Sequence, residues 1–172
     1  MKNGAYSEIT EIGLSKKITN LYFKNMSLFE RQFKKGKGID DPIVNVISAE
    51  EKTLIPIQEG MTKQEHVSLV RLSCHLFDAE AVVMFFEASQ WTGTAQERDY
   101  VIEHTGCTHG HAKAKDVLAV MIETQGKYIV GTADVTSNGK QRKIGKLEWS
   151  VTDLPDADYV TYSNFLPTKT SI

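Results

Sequence analysis

Apolar residues recur at a helical period through the first part of the chain: Leu14, Ile18, Leu21, Tyr22, Met26, Phe29 and Phe33. This spacing predicts an amphipathic helix over residues 15–35. Ser15 stands where an N-cap belongs, and Gly36 and Gly38 stand where the helix should stop. A second helix starts at Thr62, which forms a Thr-x-x-Glu capping box with Glu65. It carries one stripe of Val67, Val70, Cys74 and Phe77 and another of Leu69, Leu72 and Leu76. A helix apolar on two sides should be covered on two sides, between layers or at a subunit contact.

The pattern elsewhere is that of strands. Ile43–Ile47 and Thr53–Ile57 read as a loose hairpin at a sheet edge, because Pro56 cannot donate to a ladder. Four longer runs follow: Ala81–Gln90, Asp116–Thr124, Tyr128–Val135 and Ile144–Val151. Gln125-Gly126 and Ser137-Asn138-Gly139 separate the last three, and turns this short make neighbours antiparallel. The first two runs are nearly continuous in apolar residues, so both of their faces should be partly covered. The segment that holds His104, Cys107, His109 and His111 reads as a loop joining them. In the tail, Tyr159, Tyr162, Phe165 and Leu166 could pack back on the domain, and Lys169 to Ile172 form a loose end.

These elements predict one α+β domain over residues 1–172: an antiparallel meander of four or more strands with two main helices packed on one face. Its parts are an N-terminal arm (1–14), a basic helix and link (15–38), the second helix (62–77), the strand meander (81–151) and the C-terminal tail (155–172).

A chain of 172 residues is long enough to bury a substantial core. No apolar run reaches the length of a membrane span, and Met1 to Tyr6 lacks a signal-peptide core. Two cysteines, Cys74 and Cys107, make no disulfide framework, so a cytoplasmic protein with free thiols is expected. Cys74 falls on a helical stripe and reads as core, whereas His66 and His75 lie off that stripe and read as surface.

Charge is uneven. Residues 1–38 carry a net +5 and the remainder −7. Lys34, Lys35 and Lys37 follow the first helix, and Lys140, Arg142, Lys143 and Lys146 surround the last hairpin tip. Together they would form a phosphate-facing patch and support nucleic-acid binding, provided the fold brings them together. No aromatic residues interleave with these cations, so stacking on single-stranded bases is not indicated.

The densest chemistry lies in His104-Thr-Gly-Cys107-Thr-His109-Gly-His111. Imidazole and thiolate are zinc ligands, and Gly106 and Gly110 would permit a tight wrap. His104, Cys107, His109 and His111 are therefore the candidate metal ligands, for zinc or a similar ion. A second Cys/His pair is missing, and only Cys74 and His75 stand in reserve. Cys107 is also a candidate nucleophile if a histidine lowers its pKa. Glu87, Glu123, Asp134 and Glu148 would make an acidic strip if the strands place them on one face. Phosphate-loop, dinucleotide, zinc-protease and nucleophile-elbow motifs do not occur.

The order of a capped helix, Glu87-Ala-Ser-Gln-Trp91 closing an apolar strand, and a three-strand meander resembles small proteins of phages and plasmids. It spans roughly residues 62–152 and brings no activity with it. The lack of a catalytic motif, the two-sided apolar elements and the uneven charge lead to the expectation of a non-catalytic interaction or accessory protein, with a mobile element as one origin, working through a protein partner or as a homodimer. A small metal-binding protein or metal-dependent enzyme using the 104–111 segment is the alternative. Nucleic-acid binding through the basic helix end and hairpin tip is the second alternative.

Overall fold

The computed structural model describes residues 1–108, 110–154 and 163–167. At its centre β4 (Ala81–Trp91) and β5 (Ala114–Thr124) pair antiparallel, from Val82 against Glu123 to Trp91 against Ala114. Side chains alternate between the faces of a strand. Val83, Phe85, Leu118, Val120 and Ile122 therefore line one face, and Val82, Met84 and Met121 the other. Neither face can be left to water.

The antiparallel sheet grows outward from this pair. β1 (Gly4–Tyr6), β8 (Glu148–Asp153) and β6 (Lys127–Asn138) lie on the β5 side. β2 (Ile43–Ile47) and β3 (Lys52–Ile55) lie on the β4 side, with β3 at the edge. β7 (Gln141–Ile144) pairs only with the distal half of β6. The expected fourth run is thus two strands, interrupted at residues 145–147, where the Gly145 amide donates to the Asp134 carbonyl. The arm contributes β1 and one turn of 3-10 helix at Ile9–Glu11.

Helix α1 (Lys16–Lys34) buries Ile18, Leu21, Tyr22, Met26, Phe29 and Phe33, the residues its period singled out. It runs over the first face, where Phe29 meets Phe85 edge-on at 5.2 Å and Tyr22 meets Trp149 at 5.3 Å. Gly131 makes room for that tryptophan, since a Cβ there would stand 2.7 Å from its ring. Ser15 occupies the N-cap position but makes no side-chain cap.

Helix α2 (Lys63–Leu76) starts with both hydrogen bonds of the Thr62–Glu65 capping box. Val67, Val70 and Cys74 pack with Val44, Val46, Val82 and Met84. This is the opposite face from α1, so the two main helices are not on one face as the sequence suggested. Topology supplies the reason. β3 and β4 are each antiparallel to β2, so they run in the same direction. A connection between such strands has to cross over a face of the sheet. With α1 on one apolar face, the crossover helix covers the other. The second leucine stripe is left outside, with Leu72 56% and Leu76 73% exposed.

The C-terminal segment 163–167 completes this second layer. Phe165 is buried beside Val82 and Met84. The Phe165 and Leu166 amides donate to Glu123 Oε2 at 2.8 and 2.9 Å, and the Arg71 Nε–H donates to the Asn164 carbonyl. Glu123 is almost wholly buried, and its Oε1 has no hydrogen-bond partner among the described residues. Burial raises its carboxyl pKa, and the backbone donors only partly oppose that. Tyr159, Tyr162 and the expected loose end 169–172 lie outside the described residues.

An acid whose pKa is raised by folding stabilises the protein at low pH, and that contribution is lost as pH rises through the folded-state value. Glu123→Gln keeps an acceptor for the two amides without the buried charge. Urea denaturation should show the variant gaining on the parent as pH rises above the ordinary carboxyl range of about 4. A stability difference that does not change with pH would contradict this assignment.

Candidate functional site

The candidate metal ligands do not converge among the described residues. Helix α3 (Ala95–Thr105), capped by the Thr94 hydroxyl accepting from the Glu97 amide, occupies much of the expected loop. His104 belongs to its last turn, where Nδ1 lies 2.8 Å from the Tyr100 carbonyl and the ring stacks on Tyr100 at 4.0 Å. Gly106 ends the helix in the left-handed region, at φ 83°. Cys107 follows, exposed to solvent. His111 lies beyond a turn, accepts the Lys113 amide on Nδ1 at 3.1 Å and sits 5.1 Å from the Trp91 ring. No group of three or more His, Cys, Asp or Glu able to hold a metal occurs among the described residues. His109 lies outside them. Of the reserve pair, Cys74 is buried, which raises its thiol pKa to about 12. It is a packed thiol rather than a nucleophile.

The four acids do not make one strip: Glu123, Asp134 and Glu148 share the sheet face opposite α1, but Glu123 is buried beneath Phe165, and Glu87 lies on the other face. Glu87 has the strand parity of Phe85, on the α1 face, while Glu123 has that of Val82, on the α2 face. Asp134 pairs with Lys115 at 3.0 Å. Glu87 instead forms an ion pair with Arg142 of β7, each side chain 18% exposed. Its other oxygen accepts the Ile39 amide at 2.5 Å. The Arg142 guanidinium also lies over the Phe33 ring, 4.7 Å from its centroid. One ion pair thus joins β4, β7, the end of α1 and the link that follows it.

That junction assembles the basic segments. α1 closes with the Gly36 amide on the Phe33 carbonyl and the Lys37 amide on the Gln32 carbonyl. The β6–β7 turn is Gly139-Lys140, with Asn138 paired to Gln141. The two turns touch backbone to backbone: a Cβ on Gly36 would stand 2.6 Å from the Lys140 carbonyl oxygen. Glycine is required here twice, by this approach and by its φ of 80°. Lys34, Lys35, Lys37, Lys140 and Lys143 are all exposed at this corner. None of the five takes part in an ion pair among the described residues. Arg142 is committed to Glu87, and Lys146 pairs with Glu8 at 3.4 Å.

No helix among the described residues is long and apolar enough to cross a membrane. No family model, curated protein or solved structure matches the chain.

Arg142→Met removes the partner of a mostly buried carboxylate and should cost about 1–3 kcal/mol in urea denaturation. Glu87→Gln retains the acceptor for Ile39 and should cost less. Equal, negligible losses for both variants would remove the ion pair as the fastening of this corner.

Proposed function

We propose that this is a non-catalytic interaction protein whose basic corner, Lys34, Lys35, Lys37, Lys140 and Lys143, contacts the phosphate backbone of a nucleic acid. The observation that carries the reading is the backbone approach of Gly36 to Lys140, which joins two lysine-rich segments distant in sequence. Five ammonium groups with no ion pair among the described residues concentrate positive potential at one corner of a chain whose net charge is −2. Lysines act as point charges on phosphate, and phosphate contacts position a protein without reading sequence. The contact is therefore with the backbone, independent of base order.

Fluorescence anisotropy with a short labelled duplex tests it. If all five lysines neutralise phosphates, log affinity should fall with log salt at a slope of about −4.5. Each Lys→Gln change at the corner should reduce that slope by about one unit. Absence of binding at low salt, or a slope indifferent to these substitutions, would remove the reading.

A second reading, self-association, rests on the outer stripe of α2. Leu72 and Leu76 are exposed there, one turn apart, with Leu69 partly buried and uncharged Ser68 alongside. Leu69, Leu72 and Leu76 can meet their own copy across a two-fold axis with Glu65, in the first turn of the helix, left at the rim of the contact. Sedimentation equilibrium should then show a concentration-dependent dimer that Leu76→Glu dissociates. A monomer at every concentration would exclude it.

A further inference from the structure

On the α1 face the helix leaves the β2–β3 hairpin uncovered, and a groove of about 650 Å³ runs between them. This is within the size range of small-molecule sites. Leu21 and Ile43 form apolar parts of its lining. Leu28 of α1 and Leu54 of β3 flank it and are 41% and 63% exposed. Two large aliphatic side chains facing one groove from opposite walls leave apolar area that an occupant would cover.

The groove also contains an unsatisfied polar group. Asn45 lines it from β2 and is only 9% exposed, yet its Nδ2 has no hydrogen-bond partner among the described residues. A buried amide donor without an acceptor costs free energy, and native proteins rarely leave one. The neighbouring Asn25 differs, since its Nδ2 donates to the Leu21 carbonyl at 2.9 Å. Leu54 is the direct cross-strand partner of Asn45, and Lys52 lies two residues along the same face. Lys24, Arg31 and Lys52 line the groove against a single acid, Asp41. None of these three cations forms an ion pair among the described residues.

A buried donor left without an acceptor at the groove wall, an excess of positive charge and an apolar trough share one complementary ligand chemistry: a hydrocarbon body ending in an anionic acceptor, toward which the Asn45 amide would turn. We propose that the groove between α1 and the β2–β3 hairpin binds an apolar monocarboxylic acid, its carboxylate received by the Asn45 amide and the surrounding cations. The five lysines of the basic corner lie outside this groove, so the two proposals stand or fall separately.

Isothermal titration with octanoate and with 1-octanol separates the terms. Octanoate should saturate one site, and 1-octanol, with the same chain and no charge, should bind at least about tenfold more weakly. Asn45→Leu should weaken octanoate by about tenfold and leave 1-octanol no weaker. It should also leave the unliganded protein no less stable in urea. Lys52→Ala, at an exposed position, carries the same test should Asn45→Leu fail to fold, and it should weaken octanoate alone. Equal affinity for acid and alcohol, no saturable binding of octanoate, or octanoate affinity unchanged in both variants would overturn the proposal.

Discussion

The structure depends on one constraint: β4 and β5 are apolar on both faces where they pair. Val83 and Phe85 point one way and Val82 and Met84 the other, so two covering layers are needed. α1 supplies the first. α2 and the segment around Phe165 supply the second. Direction within the sheet allots the helices, because β3 and β4 run alike and the helix joining them must cross a face. The leucine stripe left outside on α2 is a consequence of the same arrangement, for a helix pressed on a sheet by one side has no second layer above it.

A single helix is also too narrow for the sheet it covers. Its diameter is roughly 10 Å, about two strand spacings, whereas the sheet runs from β1 to β3 through seven strands in sequence of pairing. α1 lies across the centre and reaches Trp149 at one end and Phe85 further along. The β2–β3 hairpin stays uncovered on that side, which is why Asn45 faces a groove rather than a packed layer. The opposite end of the helix meets β7. There the Glu87–Arg142 pair replaces apolar packing, and the Phe33 ring shields the guanidinium. Groove and basic corner thus flank one helix and arise from the same limited coverage.

Much of this was legible along the chain. The buried face of α1 follows its period residue by residue, the Thr62–Glu65 box starts α2 as read, and the strand runs pair antiparallel. α3 was missed because Tyr100, Val101 and Ile102 are consecutive rather than spaced three or four apart, and the helix buries no residue. Thr94-x-x-Glu97 with Gly106 beyond was the available signal, a cap pattern without an apolar stripe. The interruption between β7 and β8 was not visible either, because Gly145 reads as a tolerated glycine until its amide is seen to bond Asp134.

The sequence alone determined what local physics controls: the periods, the caps, the turns and the two-sided hydrophobicity that calls for a layered α+β fold. Proximity between distant segments is a property of packing, and no local pattern encodes it. Only the tertiary structure decided that His104 points back along its own helix, that Glu123 is sealed under Phe165, and that Gly36 meets Lys140. The lysines of the two turns repel one another, so their own charge could not have brought them together. Burial of Phe33 and the ion pair beneath it hold them at one corner, at distances that depend on the whole sheet.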